Sequence, residues 1–172
     1  GYDADRAKAS LCLEMASFSA HVNSNFNKDL DEDNLIRAEN IRELYHTLGF
    51  DPETYQFFNY DTALTSTNDK VAYSMAMKYI QNPDGSTDTL IAVPIRGGGY
   101  GGEWVSNFHV WEDASYYGKN HTGFQKAANG VLSWLKFYVN RHKDLIKGDL
   151  KLWIAGYSRG AAVANLLGHM LN

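Results

Sequence analysis

With 172 residues, 44% of them hydrophobic and 21% charged, the chain can bury one core and falls outside the disordered and fibrous classes. A net charge of -4 and a pI near 5.8 leave no basic field to attract nucleic acid. The single cysteine, Cys12, closes no internal disulfide, and no apolar run of about 18 residues is present to span a membrane.

Residues 5–22 space Ala7, Leu11, Met15, Phe18 and Val22 as the apolar face of a helix, a pattern that places Cys12 as a buried structural thiol. No basic region followed by a long apolar stretch precedes it, so the chain carries no leader, and a mature secreted form is favoured over a cytoplasmic one. A second helix is expected from about Asp33 to Leu48, with Ile41, Leu44, Tyr45 and Leu48 on its inner face. Gly49 followed by Phe50, Asp51 and Pro52 ends it with a left-handed cap.

Tyr55 to Tyr60 reads as extended and aromatic, followed by a polar loop through Asn68. Val71, Tyr73, Met75, Met77 and Tyr79 alternate as in a strand, and Asn82-Pro83-Asp84-Gly85 turns that strand into the next, Thr89 to Ile95. After the glycine-rich segment 96–102, Phe124, Ala127, Val131, Leu135 and Tyr138 mark a long helix over about Gly123 to Arg141. Asn120-His121-Thr122, just before it, fits the N-glycosylation pattern. Strands that alternate with helices and end at glycine-rich turns predict an α/β sheet in one domain, with an N-terminal helical segment at about 5–48.

The last expected strand, Leu150 to Ala155, runs into Gly156-Tyr157-Ser158-Arg159-Gly160 and then into an alanine- and leucine-rich helix. Strand, tight turn and helix is the setting in which Gly-x-Ser-x-Gly exposes a nucleophilic serine, here Ser158. A serine nucleophile creates a tetrahedral oxyanion that main-chain N–H groups stabilise. On such an elbow one donor is the residue after the nucleophile, Arg159, and the second follows an earlier strand, where the Gly97-Gly98 turn stands. Gly97, Gly99 and Gly102 also match Gly-x-Gly-x-x-Gly, but Tyr100, Glu103 and Trp104 make a poor helix start, which speaks against a dinucleotide site. His109 near Glu112 and Asp113 lacks the spacing of a metalloprotease site, and a solvated loop is expected there.

Ile95-Arg96-Gly97, the nearby Trp104, His121-Thr122-Gly123-Phe124 opening a helix, and Trp153-Ile154-Ala155-Gly156-Tyr157-Ser158-Arg159-Gly160 resemble, in order and spacing, the class 3 (fungal-type) lipase family. The resemblance covers about Val71 to Leu171 and is closest to bacterial lipase-like members. It implies an α/β-hydrolase fold, no metal or organic cofactor, and hydrolysis of carboxylic esters of lipids or cell walls. Ser158 matches the family nucleophile, and the main-chain N–H groups of Gly98 and Arg159 match the oxyanion donors. The family usually has Thr or Ser where Gly98 stands and an apolar residue where Arg159 stands.

Chain order in this fold is Ser, then Asp or Glu, then His, and only fourteen residues follow Ser158. The Asp and His of the triad are therefore expected downstream of this chain, which by itself should be inactive and incomplete at its C-terminus. His169 lies three helical turns beyond the nucleophile; His109 and His121 precede it; His21, His46 and His142 read as surface or boundary residues. An open sheet edge should lead to self-association or to pairing with a C-terminal fragment. The alternatives are a non-catalytic hydrolase-like binding module and an acyltransferase using the same nucleophile.

Overall fold

A computed structural model describes residues 3–18, 30–60, 71–96, 114–157 and 159–171. In chain order these form α1 (Ala4–Phe18), α2 (Leu30–Thr47), β1 (Gln56–Phe58), β2 (Tyr73–Gln81), β3 (Thr87–Ile95), α3 (Ala114–Arg141), β4 (Leu150–Gly156) and α4 (Arg159–Leu171). The strands make one mixed sheet in the order β1-β2-β3-β4. β1 and β2 pair antiparallel, as do β2 and β3, whereas β3 and β4 run parallel because α3 carries the chain across between them. This mixed sheet flanked by helices is α/β-hydrolase-like, as the sequence leads one to expect. Among the described residues, no helix is long and apolar enough to cross a membrane.

Helices cover both faces of the sheet, and side-chain size differs between the two. On one face Tyr73, Met75, Met77, Ile91, Val93 and Ile95 meet Val131, Leu135 and Tyr138 of α3 and Val163 and Leu167 of α4. On the other, the small side chains Ala72, Ala76 and Ala92 make room for Leu13 of α1 and Ile41 and Tyr45 of α2. Full burial of side chains such as Leu135 or Ile91 stabilises the fold by about 1.5–3 kcal/mol each. The Tyr45 hydroxyl is paired with Ser74 at 2.8 Å, and the Tyr138 hydroxyl donates to the Thr54 carbonyl at 2.7 Å. Neither large ring therefore buries an unsatisfied oxygen.

The strand alternation over 71–80, the hairpin at 82–85 and the inner stripe of α3 all agree with the sequence reading. In the hairpin, the Asn82 N–H donates to the Ser86 carbonyl at 2.8 Å and the Gly85 N–H to the Asn82 carbonyl at 2.9 Å. Gly49 takes φ of +77° after α2, and the Phe50 N–H reaches back to the Tyr45 carbonyl at 2.9 Å, a six-to-one bond that closes the helix end.

Three expectations are corrected. In α1 the expected face points outward: Leu11 and Met15 are 59% and 58% exposed, while Leu13, Glu14 and Ser17 are buried. Ser10 accepts a 2.9 Å hydrogen bond from the Trp153 indole, so a largely polar stripe faces the sheet because polar atoms of the sheet layer meet it there. Cys12 is exposed and not a buried thiol. Finally, α3 begins at Ala114, so His121 to Phe124 lie inside a 28-residue helix and do not open one. Val22 and the loop at 61–70 lie outside the described residues.

Candidate active site

The parallel register of β3 and β4 brings Ile95 opposite Gly156. Each is the last residue of its strand, so the chain segments that leave them start side by side at the carboxyl end of the parallel pair. In open α/β sheets that end is where ligands bind. One segment begins with Arg96 and enters the glycine cluster; the other is Tyr157-Ser158 and then α4.

The described residues on either side of Ser158 fix a very tight reversal. The Gly160 N–H donates to the Tyr157 carbonyl at 2.9 Å. A Cβ on Gly156 would collide with the Gly160 carbonyl oxygen and come within 2.8 Å of the Ala161 nitrogen. A Cβ on Gly160 would collide with the carbonyl oxygen of Ile95 and lie 3.0 Å from the Arg96 carbonyl carbon. Both glycines of the motif are thus required by close approach of main chain to main chain: the first by the turn itself, the second by the seating of α4 on the end of β3. Arg159 is the first residue of α4, where main-chain N–H groups have no acceptor within the helix.

Residues 92–172 match the family model described as Lipase (class 3). These residues, 81 of the chain's 172, are similar to the class 3 lipase family. No curated protein and no solved structure matches the chain. The lipase match begins inside β3 and runs through α4, so it contains both strand ends and both of the segments that leave them. The similarity points to a lipase- or esterase-type hydrolase, for which esters are the substrate class.

Of the residues singled out in the sequence, Ser158 and Gly98 lie outside the described residues, as do Trp104, His109 and His21. Arg96 is buried at the end of β3; its N–H donates to the Ala72 carbonyl at 2.8 Å and its guanidinium rests 5.3 Å from the centre of the Tyr60 ring. His142 follows α3 at the amino end of the lipase region's last strand, with Nδ1 2.9 Å from the Tyr138 carbonyl. His169 sits in the last turn of α4, ten residues from its start and about 15 Å along its axis. His46 lies at the end of α2 beside the Gly49 cap. Neither His142 nor His169 stands beside the turn.

One group next to the lipase turn escaped the sequence reading. Glu14, only 7% exposed, is buried on α1, the helix that packs against β3 and β4. Among the described residues, neither carboxyl oxygen closes a hydrogen bond of good geometry. Burial pushes its pKa from the ordinary 4.5 up to about 8, and the nearby main chain of Tyr157 and Ile95 draws it only partway back. The native protein therefore keeps a proton that the unfolded chain has lost between pH 4.5 and about 8. Stability contributed by the neutral acid is complete below 4.5 and is lost as pH rises through about 8, at up to about 1.4 kcal/mol per pH unit. Urea unfolding across this range should show that slope in the wild type and a shallower one in Glu14→Gln. The signal available in the sequence was the spacing Ser10, Leu13, Glu14, Ser17, a helical face hidden by its polarity.

Proposed function

We propose that the protein containing this chain hydrolyses carboxylic esters through an acyl-enzyme on Ser158, with the Asp and His of its triad supplied from outside the described residues. The hydroxyl oxygen attacks the ester carbonyl carbon as its proton passes to a general base, giving a tetrahedral oxyanion. Collapse of that intermediate expels the alcohol, which takes a proton, and leaves the acyl group on Ser158; water then releases the acid by the reverse sequence. The main-chain N–H groups of Gly98 and Arg159 bind the oxyanion, each at a segment leaving one of the two parallel strands.

The observation that carries this reading is the pairing of Ile95 with Gly156 together with the enforced turn from Gly156 to Gly160. It supports a serine held at the carboxyl end of β4 with a glycine-rich segment starting beside it. The test is rapid mixing of the native protein with p-nitrophenyl butyrate. An initial burst of about one p-nitrophenol per chain that disappears in Ser158→Ala supports the acyl-enzyme; turnover without dependence on Ser158 refutes it.

We further propose that the outer edge of β4 takes another strand, from a second copy or from a C-terminal fragment. Among the described residues, β4 pairs only with β3. Leu152 and Ile154 stay half-buried while their partners Ile91 and Val93 on β3 are fully buried. An open edge with apolar flanks favours such pairing. Sedimentation should show concentration-dependent association of the 172-residue chain; a stable monomer over a wide concentration range would count against it.

A further inference from the structure

The charges of the chain are divided unevenly between the helices on the two faces of the sheet. Between Asp113 and Asp144 the sequence holds no acidic residue but contains Lys119, Lys126, Lys136, Arg141 and Lys143, in a chain whose net charge is -4. All but the last lie in α3, which covers one face of the sheet. α2, on the opposite face, carries Asp31, Glu32, Asp33, Glu39 and Glu43 against Arg37 and Arg42. The sheet thus separates a basic helix from an acidic one, and such a field orients the molecule toward an anionic surface.

Two aromatic rings stand on the basic helix. Trp134 and Phe137 are 46% and 49% exposed, and their rings meet edge to face at 5.5 Å. Trp134 also leans on Phe58 of β1 at 5.2 Å, and Phe58 stacks on the buried ring of Tyr73 at 4.6 Å. The exposed pair is therefore propped from beneath and held outward. Trp134, Phe137 and Arg141 follow one another at helical spacing and share one flank of α3. Nothing lies within 4 Å of a Cβ at Gly130, one turn before Trp134, so the helix surface there is open. Lys136 and Arg141 are exposed and, among the described residues, take part in no ion pair. Large rings on a cationic helix face are the pattern that seats an amphipathic helix in the headgroup layer of a membrane.

We propose that the outer face of α3 is a docking site for an anionic lipid surface, with Trp134 and Phe137 entering the headgroup layer and Lys136 and Arg141 reaching the lipid phosphates. The stems of the two cations lie along the helix while their charged ends stay in the polar layer. α3 carries the chain back from the end of β3 to the start of β4, so a surface laid along it runs parallel to these strands. Their carboxyl ends then open sideways along the surface. Docking on this face is separate from the candidate active site and independent of the role of Ser158.

The test is sedimentation of the purified protein with sucrose-loaded vesicles. Phosphatidylcholine vesicles containing about one-third phosphatidylglycerol should bind it, pure phosphatidylcholine should not, and high salt should release it. Lys136→Gln combined with Arg141→Gln should weaken binding roughly 20-fold, and Trp134→Ala about 5-fold. Brominated acyl chains should quench the tryptophan emission of the wild type more than that of Trp134→Phe. Should Trp134→Ala fail to fold, the exposed charge pair and the quenching decide. No binding to the anionic vesicles, equal binding to both compositions, or binding unchanged by the charge substitutions overturns the proposal. So does displacement of the vesicles by soluble polygalacturonate with Trp134 unquenched, which would assign the face to an acidic polysaccharide.

Discussion

Replacing Gly160 with alanine should destabilise the protein by roughly 1–3 kcal/mol and remove most of its ester hydrolysis. The new Cβ would strike the main-chain carbonyl of Ile95, with the Arg96 carbonyl carbon 3.0 Å away, so no side chain can swing aside to relieve it. α4 must lift from the end of β3 or the turn must open, and a shift of about 1 Å at a nucleophile costs on the order of 100-fold in rate. Gly156→Ala should behave the same way through contact with Gly160. Gly130→Ala and Gly168→Ala provide the contrast. Nothing lies within 4 Å of a Cβ at either position, and both glycines are inside helices, so alanine should be neutral or stabilising by up to ~1 kcal/mol. Urea unfolding of the four variants, with p-nitrophenyl ester rates alongside, checks the whole set. Similar costs at Gly168 and Gly160 would show that helix propensity, and not the turn, decides.

The second large effect is expected at Ser158. Ser158→Ala should lower ester turnover on the order of 1,000-fold or more, because removing a nucleophile disables a catalytic set that acts as a unit. Its midpoint of thermal unfolding should stay within a few degrees of the wild type, in contrast to Gly160→Ala. Retained turnover together with unchanged stability would move the chemistry to another residue.

How far the structure could be read from the sequence depended on whether local chemistry and burial agreed. Phe124, Ala127, Val131, Leu135 and Tyr138 recur at helical spacing, and the last four are buried in α3, since there the apolar stripe is also the face that meets the sheet. Gly49 and the 82–85 turn were legible because backbone geometry selects those residues directly. α1 was misread for the opposite reason. Its outward Leu11 and Met15 make an apolar pattern, while inward Ser10 answers to the distant Trp153 indole and buried Ser17 donates to the Glu14 carbonyl of its own helix. The start of α3 at Ala114 was missed because the aromatic and polar residues before Gly123 carry no simple period.

The site divides along the same line. Strand, Gly-x-Ser-x-Gly and helix were visible as a local pattern, and the need for both glycines has a steric cause that the structure supplies. The adjacency of the two strand ends required the parallel pairing of Ile95 with Gly156, which depends on a crossover through α3 that no short motif encodes. The burial of Glu14 was legible only as the polar face Ser10, Leu13, Glu14, Ser17 of α1, and its packing against strands far away in sequence was not.

The central claim, a covalent acyl-enzyme on Ser158, is tested most directly by incubating the native protein with an alkyl p-nitrophenyl phosphonate and locating the adduct by peptide mass spectrometry. The account predicts one phosphonyl group per chain on the peptide containing Gly156-Tyr157-Ser158-Arg159-Gly160, with p-nitrophenol released in equal amount and none in Ser158→Ala. An adduct on another residue, or ester hydrolysis that survives Ser158→Ala, would contradict it.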